Sequence, residues 1–528
     1  MKMKKNHFKL LLVLFALLIW NIQFAGASPK YSEENNEECT IGVASGKATS
    51  DGRPLIWKTR DTSSRDNEIK YNTSYKYKFV SVINAGGTLA WMGVNEKGFA
   101  ILNSNSSDLE SGSSGPGNGT LMKIVLGNCG TVLDFTNFLD STNVTGRQTA
   151  ANFAVIDSTG AAAIFETAGY EYWKFDANDS TIAPNGYVLR TNFAFNGAAR
   201  DGLHDGLYSI ERYRRQRDLM SDFYAGDTLN YHSIIRYQMR DFSDFNSEPV
   251  PVPFPDRWLS YRPFGYIYAG VSICRSSTAS TSVIQGVLPG ESSLLSILWT
   301  ILGQPAAGIA VPYFPVGNAP SAANGPDTAP LCDISGDIRS LLFDYAENSH
   351  YIDSYKLRNE DGFGLWANIF PAEDSIFTIA EENLSRWRST GFSVSEILAT
   401  ETSLAQYALQ TLNNEYDRMI TAVEEELIPV LSPNEFVLAQ NYPNPFNAAT
   451  TIGFYLPASS FITLKIYNLL GEEVATPISG AMEAGSHVAE ISGMNLATGI
   501  YFYRLEAHTL NSERVLLFRN TKKFQYIK

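Results

Sequence analysis

Short extended runs punctuated by turn residues dominate the first half of the chain. Cys39, Thr40, Ile41, Val43 and Ala44 have strand character. Ser50-Asp51-Gly52-Arg53 then marks a turn, because glycine accepts the positive φ a hairpin needs, and Pro54 to Lys58 resumes the extended run, closed by Arg60 and Asp61. Tyr75 to Ile83 and Thr88 to Val94 flank the turn Asn84-Ala85-Gly86-Gly87, and Phe99 to Asn103 returns as an apolar strand ending in Asn. Ala151 to Asp157 and Ala161 to Thr167 form a further hairpin, continued by Tyr170 to Phe175, and Gly186 to Phe193 carries Thr191-Asn192 at its end. Ala307 to Val311 reads as one more strand. Helical spacing covers Leu121 to Leu126, Val132 to Leu139, the stretch from Tyr208 to Arg215, Ile338 to Tyr345, and Ile379 to Leu427 with a break at Gly391-Phe392-Ser393. Ser393 with Glu396 is a capping-box pattern. Strand hairpins mixed with helices make the class α+β.

The two ends differ from this body. Lys2, Lys4, Lys5 and Lys9 precede the apolar run Leu10 to Trp20, and Ala25-Gly26-Ala27 supplies small residues for cleavage, so residues 1–27 are a secretory signal peptide. No other stretch is long and apolar enough to span a bilayer, so an exported protein without a transmembrane segment is expected. Residues 28–38 are short, polar and acidic, with Glu33, Glu34, Glu37 and Glu38, and are expected to be a removable pro-segment. After a linker at residues 431–440 come short strands over Thr451 to Tyr455, Ile462 to Tyr467, His487 to Ile491, Ile500 to Glu506 and Arg514 to Phe518. Turn signals stand at Leu470-Gly471 and Thr498-Gly499, which makes residues 441–528 a small all-β sandwich.

Charge and composition narrow the function. The 528 residues carry a net charge of −14, which argues against nucleic acid or an anionic membrane as partner. Ser104 to Gly119 is rich in Ser, Gly and Asn, but no Gly-Lys-Ser/Thr follows it. It is a surface loop or a lid, not a phosphate loop. Asp176, Asn178, Asp179 and Ser180 lack the spacing and closing glutamate of an EF-hand. None of the six histidines lies in His-Glu-x-x-His or beside Gly-x-Ser-x-Gly, so neither a zinc enzyme nor a Ser-His-Asp hydrolase is supported. No cofactor or metal is expected.

Cys39 is where chemistry concentrates. Cleavage after Glu38 would make it the first residue of the mature chain, with a thiol nucleophile and a free α-amine on one framework. An α-amine has a pKa of ~7.7–8.0, so it can serve as the base for its own thiol and no histidine is required. A lipidated cysteine is disfavoured by its distance from the leader and by Glu37-Glu38 before it. A structural half-cystine is the other reading. With Cys39 as nucleophile, Cys129, Cys274 and Cys332 allow at most one intramolecular disulfide.

Cys39-Thr40, Ala44-Ser45-Gly46, Thr49, Asp51-Gly52 and Trp57 to Asp61 resemble the start of the N-terminal-nucleophile (Ntn) cysteine hydrolases. Closest is the linear-amide group: choloylglycine hydrolases, penicillin V acylases and the acyl-CoA:6-aminopenicillanic acid acyltransferase-like C45 relatives. The resemblance implies a four-layer αββα catalytic domain over residues 39–430. Its expected task is to hydrolyse a linear, non-peptide amide of a small molecule through an acyl-enzyme on Cys39. By resemblance, Asn192 and Asn103 build the oxyanion hole, and Asp61 holds the α-amine. Lys58 or Arg60 matches the family's cation. Arg212, in Tyr208-Ser209-Ile210-Glu211-Arg212-Tyr213, lies near the nucleophile. The family pattern Arg-Asn-x-Asp is replaced here by Lys58-Thr59-Arg60-Asp61. A C69-type dipeptidase, a C45-type N-acyltransferase and a non-catalytic surface binding protein remain alternatives. The tail residues Asn441 to Phe446, Tyr467-Asn468, Gly471 to Val474, Gly485 and Ala497 to Tyr503 resemble the sorting domain of type IX secretion cargo. The type IX machinery is thus a partner, and the implied location is outside a Gram-negative cell, secreted or surface-attached. Residues Phe518 to Lys528 extend past that domain's usual ending.

Overall fold

The computed structural model describes residues 38–106, 108–254, 265–325, 329–344, 348–359, 364–430, 436–438, 441, 449–492 and 496–526. The expected signal peptide, the pro-segment before Glu38, residues 431–435 and 439–440 of the linker, and Tyr442 to Phe446 of the sorting motif lie outside them.

Strands β1 (Glu38–Ala44) and β2 (Leu55–Asp61) pair antiparallel over their whole length. A meander follows: β3 (Asn67–Asn72), β4 (Phe79–Asn84), β5 (Met92–Asn95) and β6 (Ala100–Asn105). Helices α1 (Asn118–Asn128) and α2 (Val132–Thr145) interrupt it before β7 (Ala151–Ile156), β8 (Ala162–Thr167) and β9 (Tyr172–Asp176). Next come β10 (Tyr187–Arg190), α3 (Ile210–Ala225), β11 (Tyr266–Tyr268), β12 (Thr278–Gln285), β13 (Ile297–Leu302) and β14 (Val311–Tyr313). Helix α4 (Pro330–Leu342), β15 (Tyr351–Asp353) and the long helices α5 (Trp366–Thr390) and α6 (Val394–Val430) complete this part.

Two sheets result. One has seven strands in the consecutive order β3 to β9; the other has six, ordered β10-β1-β2-β12-β13-β14. Val80, Val82, Leu102 and Ile164 from the first share a core with Ile41, Val43, Ile56 and Val283 from the second, so the sheets face each other. Alternate residues of the meander, Ile101, Phe153, Val155 and Phe165, turn outward against Leu121, Val125, Phe135 and Leu139 of α1 and α2. The same core as the six-stranded sheet takes in Met220 and Phe223 of α3, Ile338 of α4, Ile376 of α5 and Leu404 of α6. The layers therefore run helix, sheet, sheet, helix. A sheet covered on both faces reads as an unbroken buried run: every residue of β2, β12 and β13 is buried.

The strand expected at Ala307 to Val311 begins only at Val311, because Pro305–Ala307 forms a 3₁₀ turn in which the Gln304 side chain caps the Ala306 N–H at 2.6 Å. Helix α4 begins at Pro330, where proline's missing donor costs nothing, and stops at Leu342, short of Tyr345. Helix α5 starts at Trp366, well before Ile379, and carries Pro371 within it. The Ser393–Glu396 capping box is present in both directions, at 2.8 and 3.2 Å.

The tail contains β16 (Val437–Leu438), β17 (Ala449–Leu456), β18 (Ser460–Tyr467), β19 (Glu473–Met482), β20 (Gly485–Ser492), β21 (Gly499–His508) and β22 (Leu516–Tyr526). They form a three-stranded sheet β16-β17-β20 and a four-stranded sheet β19-β18-β21-β22 around Ile452, Phe454, Leu464, Ile466, Ile491, Tyr503 and Phe524. Of the residues past Phe518, 519–526 complete β22, with Phe524 facing Tyr501 across the ladder. Among the described residues, no helix is long and apolar enough to cross a membrane.

Candidate active site

Cys39 sits near the start of β1, opposite Arg60 of β2, and is 1% exposed. On its other side β1 pairs with β10, but that ladder ends at Ile41 opposite Arg190. Past the end of that ladder, side chains bond the Cys39 backbone. Its N–H donates to Asn192 Oδ1 at 2.9 Å, and its carbonyl accepts from Arg212 Nη1 at 2.8 Å. Arg212 also donates to Thr40 Oγ1 at 3.0 Å, to Asn192 Oδ1 at 2.9 Å and to Glu38 Oε2 at 3.1 Å. One guanidinium on α3 thus ties together the start of β1 and Asn192, just past β10. Gly42 is required for this packing: a Cβ there would lie 2.1 Å from the buried Trp57 ring of β2.

Asn192 is held on every side. Its N–H donates to Ser209 Oγ at 3.0 Å, and its Nδ2 donates to the carbonyl of Asn105, at the end of β6, at 2.9 Å. Ser209 has φ 66 in the left-handed region and immediately precedes α3. Two carboxylates fasten the loop that follows. Glu166 of β8 accepts from Arg190 Nε and Phe195 N, both at 2.7 Å, and from Asn196 N at 2.8 Å. Asp108 accepts from Ala194 N at 2.9 Å and Ala198 N at 2.7 Å. Through Asp108, the Ser/Gly-rich stretch read as a surface loop is bonded to the loop behind Asn192.

Asp61 ends β2 opposite Glu38 and accepts from Thr278 Oγ1 of β12 at 2.5 Å. Its Oδ2 is buried and has no hydrogen-bond partner among the described residues. Burial pushes the Asp61 carboxyl up to about 6, against the opposing pull of Arg212, the Thr278 hydroxyl and Lys58. Lys58 donates to Asn103 Oδ1 at 2.8 Å, and Arg60 donates to Asn67 Oδ1 at 2.8 Å while its guanidinium lies 4.6 Å from the centre of the Trp91 ring. Cys39, Asn192 and Arg212 therefore meet directly. Asp61, Lys58 and Arg60 share the strand beside Cys39, and Asn103 reaches this group through Lys58.

The other three cysteines are different in kind. Burial pushes the Cys129 and Cys274 thiols up to about 12 and Cys332 to about 11, so each is held as an unreactive thiol. Cys129, Cys274 and Cys332 are free cysteines. Among the described residues, no group of three His, Cys, Asp or Glu side chains could hold a metal ion. Around Asp176 and Asp179 the carboxylates are taken by Asn178 N at 2.9 Å and Thr181 N at 2.8 Å, as in ordinary turns.

Asn105, Ser209, Thr278, Glu166 and Arg275 also build this region, and sequence reasoning assigned them no role. Arg275 forms an ion pair with Glu38, and its own N–H donates to Thr278 Oγ1 at 3.0 Å. No local spacing marks Asn105, Glu166, Thr278 or Arg275, because pairing and packing between segments distant in sequence bring them here.

Residues 49–252 match the family model of acyl-coenzyme A:6-aminopenicillanic acid acyl-transferase, and residues 440–517 match that of the secretion system C-terminal sorting domain. No curated protein matches the sequence. Among solved structures, the chain is similar to the conjugated bile acid hydrolase of Clostridium perfringens, at 14% identity over 50% of this chain and 89% of that one, with a TM-score of 0.30. It is also similar to penicillin V acylase from Agrobacterium tumefaciens, at 16% identity over 50% and 86% of the two chains, with a TM-score of 0.29. A third is the Caenorhabditis elegans ortholog of N-acylethanolamine-hydrolyzing acid amidase, at 13% identity over 40% and 90%, with a TM-score of 0.27.

Proposed function

Because residues 49–252 belong to the acyl-coenzyme A:6-aminopenicillanic acid acyl-transferase family, an Ntn family, and residues 440–517 to the secretion system C-terminal sorting domains, we propose that this protein is an exported cysteine amidase whose nucleophile is made by removal of residues 28–38. The observation that carries this reading is the setting of Cys39. It is a buried thiol beyond the end of β10, with its backbone N–H on Asn192, its carbonyl on Arg212, and a buried carboxylate oxygen of Asp61 unpartnered on the adjacent strand.

The chemistry runs in two stages. Cys39 Sγ attacks the Glu38 carbonyl, the 38–39 C–N bond breaks with the proton passing to nitrogen, and water hydrolyses the resulting thioester. The freed α-amine then carries hydrogens that Asp61 Oδ2 can accept. In the second stage the thiol gives its proton to that amine and attacks an amide carbonyl of a small molecule. The amine product leaves, and water releases the acid. Negative charge on the attacked oxygen is met by amide donors, with Asn192 as the principal one. The family name favours one further outcome, in which an amine rather than water takes the acyl group from the same thioester. Adding an amine acceptor and looking for the new amide separates transfer from hydrolysis.

Intact mass and N-terminal sequence of the exported protein test the reading. A chain beginning at Cys39 is expected; a stable chain beginning near Ser28 would remove the built-in base and with it the proposal. The pH dependence of self-cleavage follows from Asp61. Its folded pKa of about 6 lies above its ordinary 3.8, so the contribution to folding stability is fully present below about 4 and lost as pH rises through 6. Function has the opposite sign, since the ionised carboxylate is the stronger acceptor of the new amine's hydrogens. Cleavage of the precursor, followed by mass, is expected to slow as pH falls below about 6, and Asp61→Asn is expected to be slow throughout with that acid limb gone.

A further inference from the structure

We propose that the mature site prefers acyl groups ending in a carboxylate, of the length of a glutaryl chain, and that Arg212 and Arg275 form the subsite for that carboxylate; this rests on the N-terminal-nucleophile reading above. Glu38 supplies the carbonyl that Cys39 attacks in self-cleavage, so it is the first acyl group the site processes. Its side chain shows where an acyl chain lies. Glu38 Oε2 is paired at 3.1 Å with Arg212 Nη2 and also with Arg275 Nη1. The Arg212 side chain is 2% exposed, that of Arg275 15% and that of Glu38 19%. Two guanidiniums, one from α3 and one from the segment leading into β12, thus converge on a single sheltered oxygen. Charge-assisted bonds in so little water are the strong kind.

When the pro-segment leaves, this carboxylate leaves with it and the cations stay. Arg212 keeps its bonds to the Cys39 carbonyl, Thr40 and Asn192, none of which involves Glu38. The backbone of Arg275 is fixed through Thr278, the same hydroxyl that serves Asp61. In glutamate, three carbons separate the backbone carbonyl from the side-chain carboxyl, and a glutaryl amide reproduces that spacing. In the reaction Sγ bonds to the acyl carbonyl, the C–N bond breaks, and the amine departs with the proton taken up by the α-amine. Water then cleaves the thioester to free dicarboxylate and thiol.

The test compares glutaryl-p-nitroanilide with pentanoyl-p-nitroanilide, its uncharged counterpart, on the mature protein. The glutaryl compound is expected to have the larger kcat/KM by about 10- to 100-fold, and Arg275→Gln to bring the ratio toward one. A ratio near one in the unaltered protein, or one that Arg275→Gln leaves unmoved, overturns the proposal. A second measurement needs no turnover and no variant: glutarate is expected to slow alkylation of Cys39 by iodoacetamide, and pentanoate is not. Equal rates with both acids also overturn it. A failure of the underlying reading shows separately, as a purified chain whose mass places its first residue elsewhere than Cys39.

Discussion

Replacing Cys39 by alanine is expected to leave the exported chain uncut between residues 38 and 39 and to remove amide hydrolysis, by a factor on the order of 10⁴ or more. Both losses would have one cause, because in the proposed mechanism the same sulfur attacks Glu38 in the precursor and substrate in the mature chain. The fold should survive. The substitution removes one atom from a buried position on β1, and the bonds to Asn192 and from Arg212 are made by the backbone N–H and carbonyl, which alanine retains. A melting temperature within a few degrees of the unaltered protein is therefore expected alongside the chemical loss. Cys39→Ser should show the same direction with slow residual cleavage, since a hydroxyl is the poorer nucleophile. An alanine variant that is still cut at residue 38 would mean that an external protease does the processing. One that still hydrolysed amides would place the nucleophile elsewhere, and Cys129, Cys274 and Cys332, with thiols raised by burial, are poor substitutes.

The parts of this molecule that sequence made legible are those where a short local pattern decides the geometry. The turn at Gly52 joins β1 to β2, so Arg60 and Asp61, which close the second extended run, fall opposite the start of β1, while the role expected of Asp61 came from resemblance. Asn192 closes an extended run after Gly186, and Arg212 opens a helix, so each could be assigned an element though not a contact. What stayed hidden was produced by pairing over long distances. Thr278 reaches Asp61 because β12 lies next to β2, more than two hundred residues away in sequence. Strand β3, with the polar sequence Asn67 to Asn72, has no apolar alternation to reveal it; its place is set by its backbone ladder with β4 and by Asn67 beneath Arg60. The exposed strand β19 of the tail is hidden from the sequence for the same reason, whereas its alternating neighbour β18 is legible.

Asn192→Ala is expected to lower kcat for amide hydrolysis by about 10²- to 10³-fold, the usual result of losing one donor to the developing oxyanion. The side chain also has a holding role, and the two roles can be separated. Oδ1 accepts from Cys39 N–H and from Arg212, while Nδ2 donates to the carbonyl of Asn105. Alanine removes all three bonds and the oxyanion donor together. Asn192→Asp keeps the size of the side chain and an acceptor for Arg212, but it turns an oxygen toward the Asn105 carbonyl and puts negative charge where the transition state develops its own. If Asn192 acted only by holding Cys39 and Arg212 in place, aspartate would recover much of the activity that alanine loses. As an oxyanion donor it has no such substitute, and aspartate is expected to be as slow as alanine or slower. The measurement is kcat for both variants on one amide substrate, with the mature N-terminus of each confirmed by mass. In the proposed mechanism a variant that remains uncut would have lost the same stabilisation at the Glu38 carbonyl, because that attack would pass through an oxyanion at the same place.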